Sequence, residues 1–333
     1  MAMHITRLNG HRANSTTQIA QQNLVDIAKQ LGFHEMNYYF FDANTDTDEQ
    51  LIKRIEGCIS AVSKGDIVIF QTPTWMGTRY ENYFLQVLKA YECKIIVLIH
   101  DVIPFMWREN NGYLMKDYIA VYNYADVIVV PSKNMYDYLV SEGLTVKKYV
   151  VQHILDQNIG DMYLGTPSFK KQVFFTGNSE HSDLVKNWNS SWLLRAYAKP
   201  LDINNTNVKF EGWVAPGKLF FELAEGGFGY VEKRKEWVQD YFKCYVPYKL
   251  GVYLASGLPV IVHSDLACVD IIRDNHLGIV VDSIEDAIPI LENMTEEEYN
   301  KILNSVRNFR PLVANGFYTK KFLAEAVHQV LSI

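Results

Sequence analysis

Cysteine is scarce. Cys58, Cys93, Cys244 and Cys268 lie far apart and none forms a CxxC pair. They read as reduced, mostly buried thiols, as in a cytoplasmic protein. Positive charge is short as well: the formal net charge is -6 and no long basic run occurs. That argues against nucleic acid as a main partner. No apolar run approaches the length of a membrane-spanning helix, and the start lacks the charged-then-apolar pattern of a signal peptide. The expected location is the cytoplasm. HExxH, GxSxG and a Walker lysine are all missing. The turn after the first apolar run reads Asn9-Gly10-His11-Arg12-Ala13-Asn14. It lacks the GxGxxG spacing that a dinucleotide-dependent dehydrogenase needs.

What is present is an ordinary globular composition, 48% hydrophobic and 21% charged, in 333 residues. A single core rarely grows to that length, so two domains are expected. Aromatic residues are abundant, with 21 Tyr and 17 Phe. They serve packing, or stacking on a base or sugar ring. In the first half, short apolar runs predict strands at Met3–Arg7, Met36–Phe41, Ile67–Gln71, Ile95–Ile99, Val127–Val130 and Tyr149–Gln152. A helical pattern from Ser15 to Leu31 has Ser15 at the N-cap and Gln18 at capping-box spacing. The pattern then restarts, with strands at Val173–Thr176, Val208–Phe210, Gly227–Val231, Pro259–Val262 and Gly278–Val281. The Gly- and Pro-bearing stretch Asp156–Lys170 reads as a linker. Strand–helix alternation means parallel strands joined by crossover helices. The prediction is two doubly wound α/β domains, 1–155 and 156–317, facing a ligand cleft. The last helix, 318–333, is expected to pack back on the first domain.

The most informative segment is Tyr248–Val262. It reads as a short helix with a cationic first turn, a stop at Gly257, then Pro259 and a buried strand. Such a helix aims free N–H groups and the positive end of its dipole out of a sheet edge, where a diphosphate binds. Lys249 adds a full charge. A lysine in a first turn opposes the dipole, so a solvated surface role explains it less well. Asp46-Thr47-Asp48 has the DxD form of metal-dependent transferases. Thr47 with Gln50 reads better as a capping box opening a helix at Asp48–Ile59, so no metal and no cofactor is expected.

The residues Pro247-Tyr248-Lys249-Leu250 and Ala255-Ser256-Gly257-Leu258-Pro259-Val260-Ile261 resemble the phosphate-binding helix of GT-B nucleotide-sugar glycosyltransferases. Further segments resemble one subfamily. They are Ile5-Thr6-Arg7-Leu8-Asn9-Gly10 with Ser15-Thr16-Thr17-Gln18, Val68-Ile69-Phe70-Gln71-Thr72-Pro73-Thr74-Trp75, Ile99-His100-Asp101-Val102-Ile103-Pro104, Gly226-Gly227-Phe228-Gly229 and Gly316-Phe317-Tyr318-Thr319. The subfamily is the accessory glycosyltransferases of streptococci and lactobacilli that extend O-linked GlcNAc on serine-rich repeat adhesins. The resemblance implies a GT-B fold, a UDP-sugar-dependent hexosyltransferase, UDP-glucose or UDP-GlcNAc as donor, a GlcNAc-modified adhesin as acceptor, and a homotetramer. Many retaining relatives carry glutamates where Cys244 and Val252 stand here, which points to an inverting, metal-independent reaction with its base in the N-terminal domain.

By the same resemblance, Thr16, Asn178, His181, Trp213, Tyr248, Lys249, Leu250 and Gly251 bind the donor. Trp213 stacks on the uracil, and Gly251 admits the ligand close to the backbone. Gly177 supplies a turn. Relatives tend to carry arginine where His181 stands. Asp101, then His100, is the candidate base that takes the acceptor hydroxyl proton. The other reading of these two is an N-cap aspartate and a strand-end histidine bonded to backbone. Thr74 and Trp75 face the acceptor. The alternative function is a non-catalytic sugar- or adhesin-binding partner in a glycosylation complex; the intact Tyr248-Lys249-Leu250 argues for donor binding instead.

Overall fold

The structure, a computed structural model, describes residues 1–12, 15–107, 111–159, 162–233 and 240–332. It divides into two compact units, Met1–His153 with Tyr318–Ile333, and Ile154–Phe317.

In the first unit six strands form one parallel sheet: β1 (Met3–Asn9), β2 (His34–Tyr39), β3 (Ile67–Thr72), β4 (Lys94–Ile99), β5 (Val127–Val130) and β6 (Tyr149–Val151). Their order is β2-β1-β3-β4-β5-β6. The connecting helices are α1 (Thr16–Lys29), α2 (Asp48–Cys58), α3 (Thr78–Ala90), α4 (Ile103–Met106), α5 (Met115–Tyr122) and α6 (Lys133–Ser141). The central strands β3, β4 and β5 are apolar on both faces because helices cover both. Ile67, Ile69, Ile96, Leu98, Val127 and Val129 point to one face, where Leu24, Val25 and Ala28 of α1 meet them. Phe70, on the opposite face, packs on Phe84 of α3 with ring centroids 5.0 Å apart.

The second unit repeats the plan with β7 (Gln172–Thr176), β8 (Leu193–Tyr197), β9 (Val208–Phe210), β10 (Phe228–Val231), β11 (Val260–His263) and β12 (Gly278–Val281). Here the order is β12-β11-β10-β7-β8-β9, again parallel. Its helices are α7 (Asp183–Asn187), α8 (Pro216–Leu223), α9 (Tyr248–Ala255), α10 (Val269–Asp274), α11 (Ile284–Glu292) and α12 (Glu296–Ala314). In both sheets the strand order reverses once, between β1 and β3 and between β7 and β10. That reversal opens a crevice at the carboxyl edge, where doubly wound sheets bind ligands.

The final helix, α13 (Phe317–Leu331), belongs with the first sheet. Phe322, Leu323, Ala326 and Val330 enter the cluster of Ile5, Ile67 and Ile96. The Lys148 ammonium donates to the Gln329 carbonyl at 3.0 Å, and the Gln329 amide to the Tyr149 carbonyl at 3.2 Å.

Three expectations change. Strand β8 has no counterpart in the pattern read from sequence, because Arg195 interrupts its apolar run. In the structure Arg195 is 8% exposed and bonds Glu211 at 2.7 Å, with Glu222 and Glu225 nearby. Strand β2 begins two residues earlier than Met36, since an edge strand keeps its polar His34 and Glu35 in register with His4 and Ile5. The start of the Asp156–Lys170 stretch is not a tether. Gln157 is buried, its N–H donates to the Val313 carbonyl, and its side chain accepts from the Tyr248 hydroxyl at 2.9 Å.

Candidate active site

In the second unit the chain leaves β7 through Thr176, Gly177 and Asn178, and leaves β10 toward α9. These ends flank the strand reversal. Helix α9 starts after Pro247, and no side chain caps it. Its uncapped first-turn N–H groups and dipole favour an anion there. Lys249 Nζ sits 5.2 Å from the Phe175 ring centroid, a cation–π contact. A Cβ on Gly177 would meet Phe175 Cζ at 2.9 Å and Lys249 Nζ at 3.4 Å. Gly177 is therefore more than a turn residue: it leaves the space the ammonium occupies. Tyr253, on the next turn of α9, meets the Thr176 N–H at 3.1 Å and its hydroxyl at 2.9 Å. That pair ties the helix to the end of β7.

Not every residue of the motif faces a ligand. Leu250 is fully buried, so its side chain is core. Gly251 is buried too, and a Cβ there would lie 1.8 Å from the Leu155 carbonyl oxygen. The close backbone approach that needs this glycine is made by the chain itself, not by a ligand. Tyr248 is held by Gln157, and burial pushes its phenol up to about 12, so it stays protonated. Asn178 caps a single 3-10 turn, accepting from the Glu180 N–H at 3.0 Å. The side chain of His181 lies outside the described residues. Trp213, after β9, is 60% exposed, with a face open to solvent. Cys244 and Val252 are both buried. A cavity of about 650 Å³ opens at the ends of β10, β11 and β12, lined by Tyr230, Glu232, His263 and Asp282 among others. Among the described side chains, none of the expected donor residues lines it.

In the first unit the candidates collect at the ends of β1, β3 and β4. Ser15 caps α1, accepting from the Gln18 N–H at 3.3 Å. The box is not reciprocal, because the Gln18 side chain accepts instead from the His11 N–H at 2.9 Å. Thr16, the first helical residue, is exposed beside this cap. His100 ends the β4 edge, its N–H bonded to the Thr72 carbonyl. Its Nε2 lies 2.8 Å from Gln71 Oε1, while the Gln71 amide nitrogen donates to the Thr6 carbonyl. Nε2 therefore carries the proton, and Nδ1 is the lone-pair nitrogen. Burial lowers the imidazole pKa to about 4, so His100 is neutral at pH 7. Asp101 follows it. The N-cap of α4 is Val102, so Asp101 does not fill the N-cap role.

Thr74 departs from its expected role. It is fully buried, its hydroxyl donates to Glu81 Oε1 at 2.9 Å, and it accepts from the Met76 N–H. Its bonds hold the turn after β3 rather than meet an acceptor. Trp75 beside it is half-buried, with φ 64, an outlier for a bulky residue. Thr47 and Gln50 form the reciprocal capping box expected for α2. Asp46 bonds Arg54 and Asp48 bonds Arg79, each at 2.6 Å. Sequence reasoning missed Phe175, Gln157 and Tyr253, whose roles depend on contacts between distant segments.

Two parallel six-stranded sheets in one chain, each reversed once, make up the GT-B fold. Sucrose-phosphate synthase from Thermosynechococcus elongatus shares this fold, with a TM-score of 0.68 at 12% identity, over 98% of this chain and 99% of that one. So does an alpha-glucosyltransferase solved in complex with UDP, with a TM-score of 0.62 at 11% identity and 100% of both chains covered. The chain belongs to the Glucosyltransferase 3-like family, whose N-terminal domain matches residues 2–154 and whose C-terminal domain matches residues 173–326. It is similar to glucosyltransferase 3 of Streptococcus gordonii, 40% identical with 100% of each chain covered. The protein is a hexosyltransferase. Among the described residues no helix is long and apolar enough to cross a membrane.

Proposed function

We propose that the protein transfers glucose from UDP-glucose, with UDP-GlcNAc as the competing donor, to the O-linked GlcNAc of a serine-rich repeat adhesin. The observation that carries donor binding is the Lys249 ammonium on the uncapped first turn of α9, beside Gly177 and the ring of Phe175. Thr16, Asn178, His181 and Trp213 complete the donor set, with the Trp213 face stacking on uracil. Leu250 and Gly251 shape this set from behind by packing α9. Asp101 takes the acceptor hydroxyl proton as that oxygen attacks the anomeric carbon, and UDP leaves toward Lys249. With uncharged side chains at Cys244 and Val252, the base comes from the first unit and the reaction inverts. The transfer needs no metal ion. The enzyme works in the cytoplasm as a homotetramer.

The test is UDP release from UDP-glucose and UDP-GlcNAc with a peptide bearing serine-linked GlcNAc, followed by NMR of the product's anomeric proton. Glucosylated peptide of inverted configuration is expected. No turnover with either donor would refute the reading, and a retained configuration would refute Asp101 as base.

A further inference from the structure

The loops after β2, β1 and β3 each place an aromatic ring at the carboxyl edge of the first sheet, and these strands are neighbours in that order. Phe40 follows β2 and its N–H still pairs with the Asn9 carbonyl of β1 at 2.8 Å. His11 follows β1, and its ring meets Phe40 edge-on at 4.9 Å. Trp75 follows β3 and lies in an offset stack with His11 at 5.9 Å and 25°. Tyr39 stands beside Gly10, the residue before His11: a Cβ on Gly10 would lie 3.2 Å from its Cδ1. The rings remain available, with Tyr39 71% and Phe40 38% exposed.

The row is held by polar bonds beneath it. His11 Nδ1 lies 2.8 Å from the Ser15 hydroxyl, which fixes the imidazole plane. The buried Glu81 carboxylate clamps the turn that carries Trp75, accepting from the Thr74 N–H at 2.6 Å and the Thr72 hydroxyl at 2.8 Å. Trp75 pays for its left-handed backbone with strain that a plain packing residue would avoid. Two exposed rings beside a strained, clamped indole form a prepared surface.

We propose that Tyr39, Phe40, His11 and Trp75 form a platform that seats a pyranose ring of the acceptor. A pyranose offers an apolar C–H face to aromatic rings and a rim of hydroxyls to polar neighbours, and Asn9 and Asn37 stand beside the row, bonded to each other at 2.9 Å. The inference rests on the transferase reading above. It assigns the sugar-ring contacts of the acceptor to this row and leaves the donor diphosphate to Lys249.

The test uses the full-length protein. For Phe40→Ala and Tyr39→Ala, the KM for the GlcNAc-serine peptide should rise about three- to tenfold, with the KM for UDP-glucose unchanged and Phe40→Trp restoring the wild-type value. An unchanged acceptor KM in both alanine variants overturns the platform. A donor KM that rises in step overturns it too, since the rings would then serve the nucleotide. If the wild-type enzyme leaves this peptide unmodified, the proposed acceptor is wrong, and the platform is tested separately. Saturation-transfer NMR from aromatic protons to methyl glucoside and methyl N-acetylglucosaminide should label the sugar ring protons, with the signal lost in Phe40→Ala. No transfer to either glycoside refutes the platform.

Discussion

Lys249 and Gly251 stand two residues apart in one helix and do opposite work. Lys249→Ala removes the ammonium from the first turn of α9 and its contact with the Phe175 ring. It should weaken UDP affinity by about 1.5–3 kcal/mol, the range for a charge-assisted bond, with the folded state intact by circular dichroism. Gly251→Ala instead drives a methyl group to 1.8 Å from the Leu155 carbonyl. It should destabilise the enzyme by about 1–3 kcal/mol in urea titration, an overpacking cost. Asp101→Asn should lower kcat by about 100-fold or more while UDP binding by calorimetry stays unchanged. The sequence motif blends these roles, because spacing shows which residues share a helix and not which side of the helix meets another segment. Lys249 was legible by its charge. The burial of Gly251 depends on Leu155 and Gln157, some ninety residues earlier, and no local pattern records that.

Among the elements, the β3–β4 edge carries a dependence on pH. His100 has an ordinary value of 6.5 when exposed and about 4 when buried in the fold. The unfolded chain therefore binds a proton that the folded one refuses. The stability contribution is complete above pH 6.5, falls as pH drops from there, and levels off near pH 4. The loss amounts to on the order of 3 kcal/mol. His11, His153 and His263 are lowered by burial as well, so the readout is a difference. Urea unfolding between pH 7.5 and 4.5 should show a shallower decline for His100→Gln than for the wild type. An equal slope in the two proteins would remove His100 as the source. Strand legibility followed the same logic of surroundings. The interior strands β3, β4 and β5 announce themselves by unbroken apolar runs. Strand β8 does not, because its Arg195 is neutralised only by three glutamates brought from elsewhere in the fold.

On the scale of the whole chain, the doubling of the α/β pattern was plain, since length and alternation both required it. The return of α13 to the first sheet was expected from the sequence, while its docking face came only with the structure. Leu323 is fully buried there. Leu323→Ala should cost about 2–5 kcal/mol, and removal of residues 317–333 should leave the first unit unable to fold, as seen in soluble yield and proteolytic resistance. A truncated protein that folds and keeps its melting temperature would refute that role.

The same helix sets a schedule. A ribosome releases the first six strands early, yet α13, which joins α1 in packing on Ile5, Ile67 and Ile96, follows the whole second unit in sequence. At about 5–20 residues per second, synthesis of the intervening second unit leaves the part of that apolar face covered by α13 waiting for on the order of ten to thirty seconds. Apolar surface left open over such an interval is prone to aggregation, the general reason chaperones exist. The second unit, continuous in sequence, can close while its neighbour is still unfinished.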